Sequence, residues 1–220
     1  MSAKAKLVLT VLLAACAASA IVADTASAEW FVNGTKLTTT TAPLATSSVL
    51  DTPVSWELPV PKIGVDCSGP VDYSFGLVLR GGNLDATTIT WLHCLALPAG
   101  VCSLASTASA IQSEPLTATL TKGPGASEDR MTIRPLTKAV LATIPFAETE
   151  GGSCPVSGEQ PVKGSLTVSL PKGQVEEATQ VVEGLSSVEN NSLEIAGEKI
   201  YVEGGRGLVK LASGSKWSFH

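Results

Sequence analysis

Apolar residues occupy every second position in one short stretch after another, and turn-forming residues separate the stretches. Val71, Tyr73, Phe75, Leu77 and Leu79 share one face of such a stretch, and Val162, Gly164, Leu166, Val168 and Leu170 share another, with Lys, Ser and Thr between them. A period of two is the mark of a half-buried strand, because successive side chains on a strand point to opposite faces. Residues 87–95 repeat the pattern and put Ile89, Trp91, His93 and Leu95 together; Leu116 to Leu120 and Met131 to Ile133 continue it. Turns fall at Arg80-Gly81-Gly82-Asn83 and at Gly123-Pro124-Gly125. Near the start, Asn33-Gly34 stands between Trp30-Phe31-Val32 and Thr35-Lys36-Leu37, a hairpin signal because the pair supplies the two positive φ angles of a type I′ turn. The C-terminal third returns to short β signals at 193–195, 199–202 and 207–211, with a Gly204-Gly205 turn.

Composition agrees with this reading. Only 16% of residues are charged, and helix-rich soluble chains carry more Glu, Lys and Arg. The expected fold is therefore all-β: an antiparallel β-sandwich, or a partly closed barrel, of many short strands. Two stretches are less regular. Residues 38–48, with four consecutive threonines and Pro43, read as a linker or as an edge strand interrupted by proline. Val175, Ala178, Val181, Val182, Leu185 and Val188 have helical spacing, with Glu176 and Glu177 where a first turn would want them. The valines and Gly184 favour a strand there instead.

The N-terminal segment is an export address. Lys4 and Lys6 precede an apolar run over residues 7–23, broken only by Thr10, Cys16 and Ser19, and Ala26-Ser27-Ala28 offers small residues to a signal peptidase. The reading is a signal peptide at 1–28, cleaved before Glu29, followed by one β-rich extracellular domain at 29–220 whose first part, 29–50, holds the hairpin and the Thr/Ser-rich tract. Leu13-Ala14-Ala15-Cys16 also fits a lipoprotein box, which would lipidate Cys16 and anchor the protein. The apolar residues 17–23 that follow, where a lipoprotein continues with a polar tether, favour ordinary secretion over this alternative and over a retained anchoring helix. No later apolar stretch has the length of a membrane-spanning helix, so no span is expected after leader cleavage.

The same cut changes the cysteine count. Cys16 leaves with the leader, and Cys67, Cys94, Cys102 and Cys154 remain, an even number bound for an oxidising compartment. Disulfides are the leading reading, and four cysteines allow three pairings. Pro98-Ala99-Gly100 looks like a hairpin turn between Cys94 and Cys102, which favours Cys94 with Cys102 and Cys67 with Cys154. Cys154 lies in a Gly- and Pro-rich loop that a bridge would pin. A metal site at His93 and Cys94 meets the objection that adjacent strand residues face opposite ways.

The exported leader ending in Ala-Ser-Ala, the start Glu29-Trp30-Phe31-Val32-Asn33-Gly34, the four spaced cysteines and the closing 193–197 and 209–217 together resemble a group of uncharacterised exported bacterial β-rich proteins. The resemblance implies export and four mature cysteines. It carries no activity, ligand or catalytic residue.

Catalytic signatures are sparse. The chain has two histidines, His93 and His220, and no G-x-S-x-G turn, phosphate loop, dinucleotide fingerprint or H-E-x-x-H. His93, on a face with Ile89 and Trp91, reads as a core or cleft histidine. Asp51, Glu57, Asp66, Asp72 and Asp85 would supply the carboxylate pair of a cell-wall hydrolase. Removing residues 1–28 takes away Lys4, Lys6 and Asp24 and leaves 13 basic and 19 acidic groups in 192 residues, a balance unsuited to nucleic acid. The functional expectation is a non-enzymatic extracellular or cell-envelope structural or binding protein, without cofactor or metal, whose partner is a cell-wall glycan or an envelope protein. The alternative is a carbohydrate-binding module stacking sugars on Trp30 or Trp56, and a cell-wall hydrolase ranks below it.

Overall fold

A computed structural model describes residues 29–219 apart from 39–43, 51, 60, 69–70, 74–76, 81–82, 87, 106–109, 123–128, 138, 172, 174 and 185–191. Residues 1–28, read in the sequence as a leader, and Cys16 with them, lie outside the described residues. Within them every regular element is a strand, and every strand pairing is antiparallel.

The chain opens with the hairpin of β1 (Trp30–Val32) and β2 (Thr35–Lys36), joined by Asn33 at φ 48° and Gly34 at φ 73°. These are the positive angles that the Asn-Gly pair was expected to supply. β3 (Leu44–Leu50) leads into a hairpin of β4 (Val54–Leu58) and β5 (Ile63–Cys67), and the chain then returns along β3 as β6 (Val71–Tyr73) and β7 (Leu77–Arg80). β8 (Asn83–Ala86) doubles back on β7. An excursion through β9 (Thr90–Trp91), β10 (Cys94–Leu97), β11 (Cys102–Leu104) and β12 (Ile111–Gln112) separates β8 from its partner β13 (Leu116–Lys122), which pairs next with β14 (Asp129–Pro135). β15 (Val140–Glu148) and β16 (Gly158–Lys163) form another excursion before β17 (Leu166–Leu170), laid on β14, and β18 (Thr179–Gly184), laid on β17. β19 (Glu194–Ile195), β20 (Glu198–Lys199) and β21 (Tyr201–Gly204) make the last excursion. β22 (Arg206–Leu211) returns to β18, and β23 (Trp217–Phe219) ends on β1.

β22 also pairs with β3, from Gly207 opposite Leu50 to Leu211 opposite Thr46, and this ladder closes a curled sheet on itself. The staves, in chain order, are β3, the split strand β6/β7, β8, β13, β14, β17, β18 and β22. Alternation decides which face is inside. Leu116, Ala118 and Leu120 of β13, Met131 and Ile133 of β14, Val168 and Leu170 of β17, and Val209 and Leu211 of β22 are buried. Thr117, Thr119, Arg130, Thr132, Thr167, Ser169 and Lys210, between them, stay in contact with solvent. A barrel mostly apolar inside, with Thr46, Asp129 and Gln180 as buried polar positions on its staves, and rich in Thr, Ser, Arg and Lys outside has its polar face toward water, the reverse of a lipid-embedded barrel. Among the described residues no helix is long and apolar enough to cross a membrane.

The excursions depart after β3, β8, β14 and β18. Those are alternate staves, so all four leave from one end of the barrel. There they interleave into a four-stranded sheet ordered β10-β5-β4-β21, a five-stranded sheet ordered β11-β15-β16-β19-β20 and the small pair β12-β9. The other end is plugged by β2-β1-β23. Trp30 packs on Trp217 with ring centroids 5.2 Å apart and on Phe219 at 5.5 Å. Gln180 Nε2 donates to the carbonyls of Val175 and Trp217, and Phe219 N donates to the Gly173 carbonyl, which fastens the plug to the β17–β18 connection.

Several stretches differ from their sequence reading, each for a local reason. The alternation through 162–170 is continuous, yet the chain changes sheets in the middle of it: β16 belongs to the five-stranded sheet and β17 to the barrel. Gly164, at φ 104°, makes the switch, and a Cβ there would sit 2.0 Å from the Ser192 carbonyl oxygen. The stretch 71–79 is likewise two strands. Both β6 and β7 are laid on β3, with Tyr73 opposite Ser48 and Val78 opposite Ala45, and residues 74–76 between them lie outside the described residues. β3 has partners on both flanks, so residues 44–48 are neither a linker nor a sheet edge. The segment with helical spacing forms strand β18 over Thr179–Gly184, as its valines favour; residues 185–191 lie outside the described residues.

Gly164 and Gly151 separate close approach from backbone conformation alone, because both have positive φ but a Cβ on Gly151 meets nothing within 4 Å. Gly151→Ala is expected to lower the unfolding free energy by about 1 kcal/mol and Gly164→Ala by about 3 kcal/mol or more in chemical denaturation. Equal losses would show that the contact with Ser192 does not constrain the switch.

Candidate functional site

The excursion end of the barrel carries both disulfides. Cys67 on β5 and Cys94 on β10 are direct cross-strand partners with Cα atoms 3.9 Å apart, and they are bonded to each other. Cys102 on β11 is bonded to Cys154 in the connection between β15 and β16, with a Cα separation of 4.9 Å. This corrects the expected pairing of Cys94 with Cys102 and Cys67 with Cys154. The reason is the turn at Pro98-Ala99-Gly100, which does not close a hairpin: it carries the chain from β10, paired with β5, to β11, paired with β15 in a different sheet. Cys94 therefore bonds to its cross-strand partner on β5, and Cys102 to the connection that follows its partner strand β15. The loop holding Cys154 is pinned as expected, and all four sulfurs belong to buried residues.

His93 corrects a second expectation. Its φ of 50° puts an extra residue into the alternation, so Trp91 and Cys94 both point inward while His93 and Leu95 are exposed. His93 thus leaves the face it was expected to share with Ile89 and Trp91. It stands apart from any cluster of metal-ligating groups among the described residues.

The tryptophans are core. Trp30 is 1% exposed and Trp56 3%, and Trp91 and Trp217 are also buried. Trp56 meets Trp91 edge to face at 4.8 Å, and Trp30 meets Trp217 in the plug. Neither Trp30 nor Trp56 offers a ring to a sugar, which removes the stacking platform expected of them. The signal was available in the sequence, since Val54, Trp56 and Leu58 alternate and all three face inward.

The acidic residues divide between two bodies of the fold. Asp72 on β6 and Asp85 on β8 are barrel positions, opposite Val49 and Val78, whereas Glu57 on β4 and Asp66 on β5 belong to the four-stranded sheet; Asp51 lies outside the described residues. What the sheet does assemble is an outward face. One rung across it reads Glu203, Ser55, Asp66 and Leu95, and the next reads Tyr201, Glu57, Gly64 and Leu97. Beneath it Val202, Trp56, Val65 and Ala96 are buried. Leu95, Tyr201 and Glu203 were missed as surface groups because their grouping depends on cross-strand register between segments far apart in the chain.

No family model, no curated protein and no solved structure matches this chain. The geometry defines a class: an all-β protein with a water-facing barrel and a disulfide-bonded β-layer at one end.

Four measurements check the assignments. Replacing Cys102 and Cys154 by Ser is expected to cost about 4 kcal/mol and replacing Cys67 and Cys94 about 3.5 kcal/mol in the chain-entropy model, since the loops span 52 and 27 residues. A non-reducing digest should yield the 67–94 and 102–154 peptide pairs and no 94–102 pair. Trp30→Ala should cost about 3–5 kcal/mol by opening the plug, and native fluorescence should resist acrylamide and ignore added glycans; a glycan-dependent shift would mean that a ring is exposed.

Proposed function

We propose that this chain is exported, loses its leader before Glu29, and works outside the cytoplasm as a non-enzymatic binding or structural protein of the extracellular space or cell envelope. The observation that carries the reading is the pair of buried disulfides, which form in an oxidising compartment and which crosslink the layer of strands at one end of the barrel. The leader motif supports export from the other side, since it would bring the four remaining thiols to such a compartment. A rigid outward face favours binding over chemistry: it is held from beneath by packed Trp56 and Trp91 and by the bond between β5 and β10.

Intact mass of the protein recovered from the exported fraction tests this in one measurement. The expected product begins at Glu29, is four hydrogens lighter than the reduced chain, and takes up alkylating reagent only after reduction. A full-length chain with free thiols would overturn export, and a lipid mass on an N-terminal Cys16 would replace secretion with anchoring.

A further inference from the structure

We infer that the outward face of the four-stranded sheet is a docking surface for a cationic, apolar-tipped extended segment of a partner protein; the inference deepens the binding reading above and rests on it. Four exposed large apolar residues occur among the described residues, and two of them, Leu95 at 62% and Tyr201 at 36%, stand on this face. Between them the register sets Glu57 and Asp66 on adjacent central strands, with Glu203 beside them on β21. No Lys or Arg occurs in any of the four strands, so nothing within the sheet neutralises these acids.

Charge selects the occupant. The face repels nucleic acid, anionic lipid and anionic glycan, and a second copy of this chain would bring the same acids against it, on top of a net charge of −5 for the whole sequence. A cationic segment is complementary. Its apolar side chains have two places to rest: against Leu95 on β10 at one edge of the face, and against Tyr201 on β21 at the other. Four strands span about 14 Å, which an extended segment of about four or five residues crosses. The sheet is fixed from behind, so docking orders the partner and not the platform.

The test is a two-dimensional amide NMR titration of the exported, oxidised protein with a capped seven-residue peptide alternating lysine and leucine. A peptide alternating glutamate and leucine is the control. Shifts are expected at Ser55, Glu57, Asp66, Leu95 and Glu203, with affinity for the cationic peptide about tenfold or more above the acidic one and falling as salt is raised. The combined Glu57→Gln, Asp66→Asn and Glu203→Gln variant should lose about tenfold, and Leu95→Ser alone should also weaken binding. These side chains point away from the core, and near-ultraviolet circular dichroism checks that the variants keep the fold. Equal affinity for both peptides, shifts confined to another surface, or binding that survives the triple change would overturn the inference, as would self-association mapped to this face. The mass measurement decides the export reading beforehand, so a correctly cleaved and oxidised protein that ignores the cationic peptide refutes the surface and leaves the export reading standing.

Discussion

The ladder between β3 and β22 is the constraint on which the other features depend. It pairs residues 46–50 with 207–211, so the barrel closes only when nearly the full described chain is in place. Closure removes the two edges an open sheet of these staves would expose, which matters in a chain with so few charges to guard an edge. The same ladder sets parity all the way round. Because side chains alternate, a slip of one residue anywhere would bring a Thr or Arg inward and a Leu outward, and the buried set of Leu116, Ala118, Met131, Ile133, Val168, Val209 and Leu211 is the result of every ladder agreeing.

Barrel closure also explains why the excursions gather at one end. A meander of antiparallel staves returns to the same rim after every second strand, and the inserted segments all start from that rim. Strands from different excursions then become neighbours: β4 and β5 from the first, β10 from the second and β21 from the last share one sheet. The disulfides act on this interleaved layer, one within a sheet and one between a strand and a long connection. One hydrophobic cluster joins the layer to the barrel, with Trp56 and Leu141 in the same buried set as Leu116 and Leu170.

Local chemistry was legible in the sequence and long-range pairing was not. The Asn33-Gly34 hairpin and the strand character of the described stretches could be read because each depends on residues close in the chain, and that Cys67, Cys94, Cys102 and Cys154 would form disulfides could be read from their number. The break at Gly164 was hidden, since a change of sheet leaves the alternation intact and only the positive φ betrays it. His93 misled in the opposite way: one left-handed residue flipped Leu95 outward without disturbing composition. The cysteine pairing failed because a turn between two strands looks the same whether it closes a hairpin or rounds a corner between sheets. The outward acidic face could not be found at all, because Asp66 and Glu203 become neighbours only through β4.

The pairing of β1 with β23 has a mechanical consequence. Trp30 lies opposite Phe219 and Val32 opposite Trp217, so a pull applied through both termini loads this ladder at its open end, one rung at a time, as a zipper. The seam between Thr46 and Leu211 is met next and in the same orientation. Such a geometry yields at low force, and the two crosslinks then cap the extension by withholding the chain between residues 67 and 94 and between 102 and 154. A protein tethered at one terminus and tugged at the other would thus shed its aromatic stopper first and keep its bridged layer longest.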